Sequence, residues 1–343
     1  MRVARVMAPH VMRLDDAAMP VPGPGEALVR ITAVGICGSD LQYYAQGRIG
    51  ELEFSAGHIL GHEVAGVVEA LGPDTDGPSP GTPVAVDPAI PCGWCRFCVA
   101  GDPNFCERLQ FFGSPPRHGA LQQYVTHPSR LLLPVPSEWS PAATAVLEPL
   151  GVAIHAVDLG HLSVGDAVAV FGCGPIGLMV VRVAQLAGAR LVCATEPLPH
   201  RRAAAPRFGA STALDPAACD VVREMKGQTD GYGVDVAFEA AGSESATVQA
   251  VQALRPGGTL VLLGYWKQDQ VTIPGITAMR KGLTVRFVRR MKNTFDRAVD
   301  LARRGLVDVA SLATHEFSLE QTAEAFVRAE RRGPDILKVV IRV

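Results

Sequence analysis

Hydrophobic and polar positions give this chain two textures. Through the first 150 residues, short β-branched runs at 27–34, 64–70 and 83–86 alternate with stretches rich in Gly and Pro. Short runs bounded by turn formers predict strands and loops, hence a β-rich unit. The pattern changes near Leu150. Apolar runs at 166–171, 190–195, 234–239 and 258–263 predict strands, and the segments 177–187 and 245–254 between them predict helices. Strands alternating with helices imply an α/β unit on a doubly wound parallel sheet. The tail ends in an apolar run, 336–343, that is able to return to the first unit.

Composition narrows the function classes. With 48% hydrophobic residues, a chain of 343 residues supports two cores. A formal charge of -2 leaves no basic footprint for nucleic acid and no polybasic membrane patch. The N-terminal sequence has no apolar core followed by a cleavage site, and the longest uncharged stretch, 167–181, is too short to span a bilayer. A cytoplasmic protein is expected. There, four of the eight cysteines crowded into 92–106 read as metal ligands rather than disulfides.

The segment Gly172-Cys173-Gly174-Pro175-Ile176-Gly177 fits the dinucleotide fingerprint, and it lies between a predicted strand and a predicted helix. Gly172 permits the tight turn, Gly174 lets a pyrophosphate approach the backbone, and Gly177 lets helix and strand pack closely. The helix N-terminus offers free N–H groups to the phosphates. Glu196 ends the next strand, 19 residues past Gly177. A carboxylate there accepts hydrogen bonds from ribose hydroxyls and repels a 2′-phosphate, so NAD is expected over NADP. Arg201 and Arg202, close by, are able to receive such a phosphate.

Two metal sites are predicted. Cys92, Cys95, Cys98 and Cys106 can close tetrahedrally on one zinc with no open position, which makes a structural site. A four-cysteine iron–sulfur cluster is the competing reading. The second set is dispersed: Cys37 in Gly35-Ile36-Cys37-Gly38-Ser39-Asp40, His62 and Glu63 after Gly61, and Glu148 far along the chain. One thiolate, one imidazole and one carboxylate leave a fourth zinc position open. In a regular strand His62 and Glu63 would point to opposite faces, so both reach one ion only if the chain bends at Gly61. Otherwise Glu148 is the ligand.

Taken in order, these motifs resemble the zinc-containing medium-chain alcohol dehydrogenases over essentially the whole chain. Tyr43, Gly47-Arg48-Ile49-Gly50, Phe111-Phe112 with Pro115-Pro116, Glu148-Pro149-Leu150 and Asn293-Thr294 resemble the sorbitol, xylitol and L-idonate branch. Simple-alcohol relatives usually carry cysteine at the Glu148 position. The resemblance implies a GroES-like catalytic domain, 1–150 with 289–343, into which a Rossmann NAD-binding domain, 151–288, is inserted. It implies catalytic zinc on Cys37, His62 and Glu63, with Glu148 at the metal and Ser39 carrying the alcohol proton outward. Tyr43, Phe112, Glu148 and Arg290 would border the substrate. Pro175, Ile176, Glu196, Arg201, Leu263, Gly264, Val288 and Arg289 would meet the cofactor. Relatives are tetramers or dimers, with residues 261–263 a candidate interface. The implied reaction oxidises a secondary alcohol of a polyol or sugar derivative to a ketone.

Some positions depart from that pattern. Gln42 replaces a histidine common in relatives, and an amide cannot titrate. Arg117-His118 and Arg289-Arg290, followed by Met291, predict a more cationic pocket, which suits a sugar acid such as L-idonate. L-Threonine is a further candidate substrate. The non-enzymatic alternative is a zinc-stabilised, dinucleotide-binding redox sensor, which would have no need for the open metal site.

Overall fold

The run predicted at 27–34 is the strand Glu26–Gly35, and it organises the first unit of the computed structural model. One edge pairs antiparallel with Glu63–Leu71, which pairs with Pro83–Val86 and, through it, with Leu132–Pro134. Its other edge is shared. Tyr124–Pro128 covers the first half, and Lys338–Arg342 covers the end near Gly35. Lys338–Arg342 in turn runs parallel to Ala313–Ser318. The final strand thus completes a sheet begun near the N-terminus. Burial follows strand periodicity: Val29 and Ile31 enter the core while Arg30 between them is exposed. That core also takes in Val64, Val68, Leu121, Phe326 and Ile341.

The second unit holds six parallel strands in the order Thr212–Leu214, Leu191–Thr195, Ala167–Phe171, Val234–Glu239, Leu254–Leu262, Thr284–Phe287. Numbered along the chain this is 3-2-1-4-5-6, the doubly wound order. The order reverses between Ala167–Phe171 and Val234–Glu239. Ligands of such sheets bind at the carboxyl ends of strands where this reversal opens a crevice. Three predicted strands appear within a residue of their expected ends. The fourth begins at Leu254 rather than 258, because buried Leu254 pairs with Val234 before a register shift carries the chain through Pro256-Gly257-Gly258. Thr212–Leu214 and Thr284–Phe287 lie at the two edges and are only partly buried, so they lack the apolar run that marked the others.

The structure describes residues 1–266 and 270–343. They fall into two units, Met1–Pro149 with Phe295–Val343, and Leu150–Thr294. The second crossing therefore lies after Thr294, not after 288 as the resemblance suggested. Thr294 donates its hydroxyl to the Gly151 carbonyl at 2.7 Å. The Met291 sulfur lies 2.6 Å from where a Gly151 Cβ would stand. Residues 289–294 thus pack on the start of the helix Leu147–Gly160. Met291 is buried there and does not extend a cationic substrate wall.

The glycine fingerprint has the tight geometry it predicts. Gly172 has φ 100°, and a Cβ on Gly177 would stand 1.9 Å from the Gly172 carbonyl oxygen. Gly177→Ala must therefore push the helix Pro175–Leu186 off its strand. We expect a loss of about 1–3 kcal/mol in stability, as for other overpacked cores, and weaker NADH binding. Thermal melts and NADH fluorescence titration check this; a variant unchanged in both would contradict it.

Candidate metal centre and dinucleotide site

Cys37 leaves the end of the strand Glu26–Gly35 and caps the helix Gly38–Gln46. Gly61 has φ 94°, and this bend sets His62 just before the strand Glu63–Leu71 begins. The bend removes the alternation that would separate neighbours. Ligand atoms of Cys37, His62 and Glu63 all lie within 4.8 Å of one another. His62 and Glu63 are buried and Cys37 is half-buried.

Two further residues hold this trio. Asp40 Oδ2 accepts the Cys37 N–H at 3.0 Å, and Oδ1 accepts the Gly61 N–H at 3.1 Å. The same Oδ1 lies 3.4 Å from His62 Nδ1. A carboxylate on one ring nitrogen fixes the imidazole and aims the other nitrogen at a metal. Burial opposes the Asp40 charge, yet His62 and the two N–H groups draw its carboxyl below the usual value. Burial likewise opposes a charged His62, but Asp40 and Cys37 raise it well above the usual value. Lys338 donates to Glu63 Oε1 at 2.7 Å and to the Ile36 carbonyl at 3.1 Å. Glu63 Oε2 is buried without a hydrogen-bond partner and occupies the space a Gly35 Cβ would fill, 2.1 Å away. An orphaned carboxylate oxygen beside a thiol and an imidazole fits a zinc ion.

Glu148 sits in the first turn of Leu147–Gly160 and is buried. Burial pushes its carboxyl up to about 7, against the pull of His62. It neighbours the trio electrostatically but is not among the ligand atoms within 4.8 Å. Ser39 is half-buried in the first turn of the Gly38–Gln46 helix. Tyr43 is buried, with its hydroxyl 3.3 Å from Ser114 Oγ.

The four cysteines of the lobe converge. Cys92 and Cys98 sulfurs are 3.9 Å apart, and Cys95 and Cys98 are 3.5 Å apart. Zinc–sulfur bonds in a tetrahedron place sulfurs about 3.8 Å apart. The N–H groups of Cys98 and Glu107 draw Cys95 down to about 6, and Cys106 Sγ accepts the Cys92 N–H. An iron–sulfur cluster would spread the four sulfurs over separate irons, so one zinc fits better.

At the carboxyl end of the parallel sheet, Gly174, Pro175 and Ile176 are half-exposed and open the helix Pro175–Leu186. The Arg201 guanidinium lies 3.6 Å from the Gly174 Cβ position. Glu196 is buried and accepts N–H bonds from Cys173 at 2.8 Å and Leu198 at 3.0 Å. Leu263 and Gly264 donate to the Glu239 carbonyl, and Val288 donates to Leu262.

Comparison with known proteins places this arrangement. Residues 23–137 match the alcohol dehydrogenase GroES-like domain, and residues 175–304 match the zinc-binding dehydrogenase family. The chain is 35% identical to a sorbitol dehydrogenase of Bacillus subtilis, across 99% of this chain and 97% of that one. It belongs to the zinc-containing medium-chain alcohol dehydrogenase family. Two Escherichia coli structures are similar. An oxidoreductase/dehydrogenase of unknown specificity superposes with a TM-score of 0.94 at 30% identity, covering 99% and 98% of the two chains. L-idonate 5-dehydrogenase superposes with a TM-score of 0.92 at 28% identity, covering 100% and 98%. Zinc and a nicotinamide dinucleotide are the cofactors of this dehydrogenase.

Several expectations for the dehydrogenase need correction. Phe112 packs on His127 at 4.6 Å inside the core, and it is Phe111 whose ring lies 5.1 Å from His62. Neighbours in extended chain face opposite ways, and the motif alone does not give the parity. Arg117 binds Gln110 and the Thr126 carbonyl and covers Phe112. With His118 it lines a shallow cavity of about 210 Å³ beside Met1 and Gln122, whose lining includes none of the trio. Arg117 is therefore engaged with Gln110, Thr126 and Phe112 rather than beside the trio. Val261 and Leu262 are buried within their own unit, and Leu263 is half-buried.

The sequence reading missed Asp40, Lys338 and Glu239. Asp40 was visible as the last residue of its motif, and Lys338 as a cation inside the apolar run 336–341. Glu239 ends the strand at the switch point, fully buried, with Oε1 accepting N–H bonds from Ala241 and Ser243. Oε2 is buried without a partner against Gly264. Burial raises its carboxyl from 4.5 to about 7. The folded state therefore holds a proton that the unfolded chain releases between those values. Stability from this group is full below about 4.5 and is lost as pH rises through about 7. Glu239→Gln should flatten that fall, by up to about 3 kcal/mol between pH 5 and pH 8. Denaturation at both pH values measures it; parallel curves for the two proteins would refute the assignment.

Proposed function

We propose that this dehydrogenase oxidises a secondary alcohol of a polyol to the ketone, with NAD as acceptor. The observation that carries this reading is the buried Glu148 beside the trio, a carboxylate at the position where the resemblance implies that simple-alcohol relatives usually carry cysteine. Full-length similarity to a sorbitol dehydrogenase supports it.

In this reading Cys37, His62 and Glu63 hold the catalytic zinc, and Cys92, Cys95, Cys98 and Cys106 hold the structural one. When bound, zinc supplies Lewis acidity toward the substrate hydroxyl, and the dinucleotide supplies the hydride acceptor. Asp40 keeps His62 in one tautomer. Glu148 would accept a hydrogen bond from a substrate hydroxyl, and Ser39 would pass the alcohol proton toward solvent. Tyr43 and Ser114 bind substrate hydroxyls as a pair, with Arg290 at the border. The pyrophosphate would approach the backbone at Gly174, in the turn that Gly172 and Gly177 make possible, and Glu196 would meet the ribose. NAD is favoured because Arg202 is committed to the Glu196 and Pro197 carbonyls and to Asp215. The Arg201 guanidinium lies near Gly174, where the pyrophosphate would approach. A cytoplasmic setting keeps the lobe thiols reduced.

The ligand assignment predicts opposite outcomes for two variants. Glu63→Ala should lose one of two zinc ions per chain, whereas Glu148→Ala should keep both and lose at least about tenfold in kcat/KM. Reversed zinc contents would exchange the two roles. The substrate assignment predicts that sorbitol or xylitol with NAD outperforms ethanol, L-idonate and L-threonine. Any of those three giving the highest kcat/KM would overturn it.

We also propose a homo-oligomer, dimer or tetramer. Thr284–Phe287 is an edge strand with Phe287 exposed, and Ile276 and Met279 of the preceding helix Gly275–Lys281 are 65% and 69% exposed. A bare edge with apolar neighbours is the kind of surface a second strand covers. Light scattering should give at least twice the chain mass of 36.3 kDa; a monomer at micromolar concentration would contradict this.

A further inference from the structure

The last strand brings a lysine to the metal trio from the far end of the chain. Val340 pairs with Gly35, and the Ile36 N–H reaches the Val339 carbonyl at 3.0 Å. This register carries Lys338 alongside Ile36 and Cys37. Its side chain is 5% exposed, and the Glu63 side chain it meets is fully buried. A buried ammonium and a buried carboxylate are costly to desolvate, and neither is stable there without the other. Only 5 of 32 basic residues in this chain are lysines, so a lysine at this position is not the sequence's default cation.

The two Glu63 oxygens have different fates. Oε1 is held at 2.7 Å by Lys338. Oε2 rests over Gly35 with no hydrogen-bond partner, in space that exists only because residue 35 has no Cβ. The ammonium therefore turns a two-oxygen donor into a one-oxygen donor. It also offsets one of the two negative charges that Cys37 thiolate and Glu63 would present to a dication. A guanidinium would act differently, because its planar fork grips both oxygens of a carboxylate at once.

We propose that Lys338 is a positioning residue of the metal centre: by holding Oε1 it leaves Glu63 a single free oxygen, and so sets the affinity and geometry with which the trio binds its ion. This rests on the reading that Cys37, His62 and Glu63 are the metal site.

The test uses the zinc- and cobalt-loaded full-length enzyme with Lys338→Met and Lys338→Arg. The readouts are zinc transfer to a chromophoric chelator and the visible spectrum of cobalt at the catalytic site; the four-cysteine lobe is the internal reference. Lys338→Met should release the catalytic metal with about 10–100-fold weaker affinity, the usual effect of losing a partner behind a ligand, and shift the cobalt bands. The lobe metal should stay put. Lys338→Arg conserves charge and decides the matter if the Met variant does not fold. By capturing both oxygens it should also weaken the catalytic metal, at least tenfold, and shift the cobalt bands. Wild-type affinity and an unshifted spectrum in Lys338→Arg would overturn the proposal, whatever the melting temperature. Cys37→Ser separates the two levels. If it retains both zinc ions, the metal-site reading itself fails. If it loses one while the Lys338 variants keep wild-type affinity, only the role of Lys338 fails.

Discussion

The metal centre depends on one antiparallel pairing, Glu26–Gly35 against Glu63–Leu71. Its register sets Gly35 opposite Glu63. Cys37 lies two residues beyond one end of that pair, and His62 one residue before the other. A thiol from one strand end thus meets an imidazole and a carboxylate that are neighbours some 25 residues further along the chain. The pairing also demands its glycines. A side chain at residue 35 would occupy the place of the Glu63 oxygen, and one at residue 61 would strike Val34. A one-residue slip would turn every side chain of the strand to the other face and dissolve the site.

The charges buried around this register are arranged in partnerships. Asp40 binds two backbone N–H groups and His62, and Lys338 binds Glu63. Each partnership satisfies groups that would otherwise be expensive to bury. Each also fixes a ligand from behind, so that a cation meets donors already in place. The dinucleotide unit solves a different problem by similar means. There the close approach is backbone to backbone, at Gly172, Gly177, Gly242 and Gly264, with Glu239 anchoring the loop that crosses between them.

How much of this was legible in the sequence follows from how local each requirement is. The glycine fingerprint and the four-cysteine lobe are built from neighbours, and their spacing carries their geometry. The buried strands of the parallel sheet are legible because burial on both faces leaves an unbroken apolar run. Edge strands such as Thr212–Leu214 are half-exposed and leave no such trace. That Glu63 lies with Cys37 and His62 depends on the bend at Gly61 and a cross-strand register, neither of which composition fixes. Lys338 is 275 residues from Glu63, so no window of sequence contains both. The parity of Phe111 and Phe112 depends on where one short strand ends.

Cys37, His62 and Glu63 are proposed to hold one zinc together, with Lys338 retained on the far oxygen of Glu63. Diffraction from crystals of the zinc-loaded enzyme, recorded at the zinc absorption edge, tests it most directly. Two anomalous peaks per chain are expected. One lies among Cys92, Cys95, Cys98 and Cys106. The other is bonded by Cys37 Sγ, a His62 ring nitrogen and Glu63 Oε2, with Glu63 Oε1 still on Lys338. A second peak bonded by Glu148 while Glu63 contacts only Lys338, or no second peak in active crystals, would contradict it.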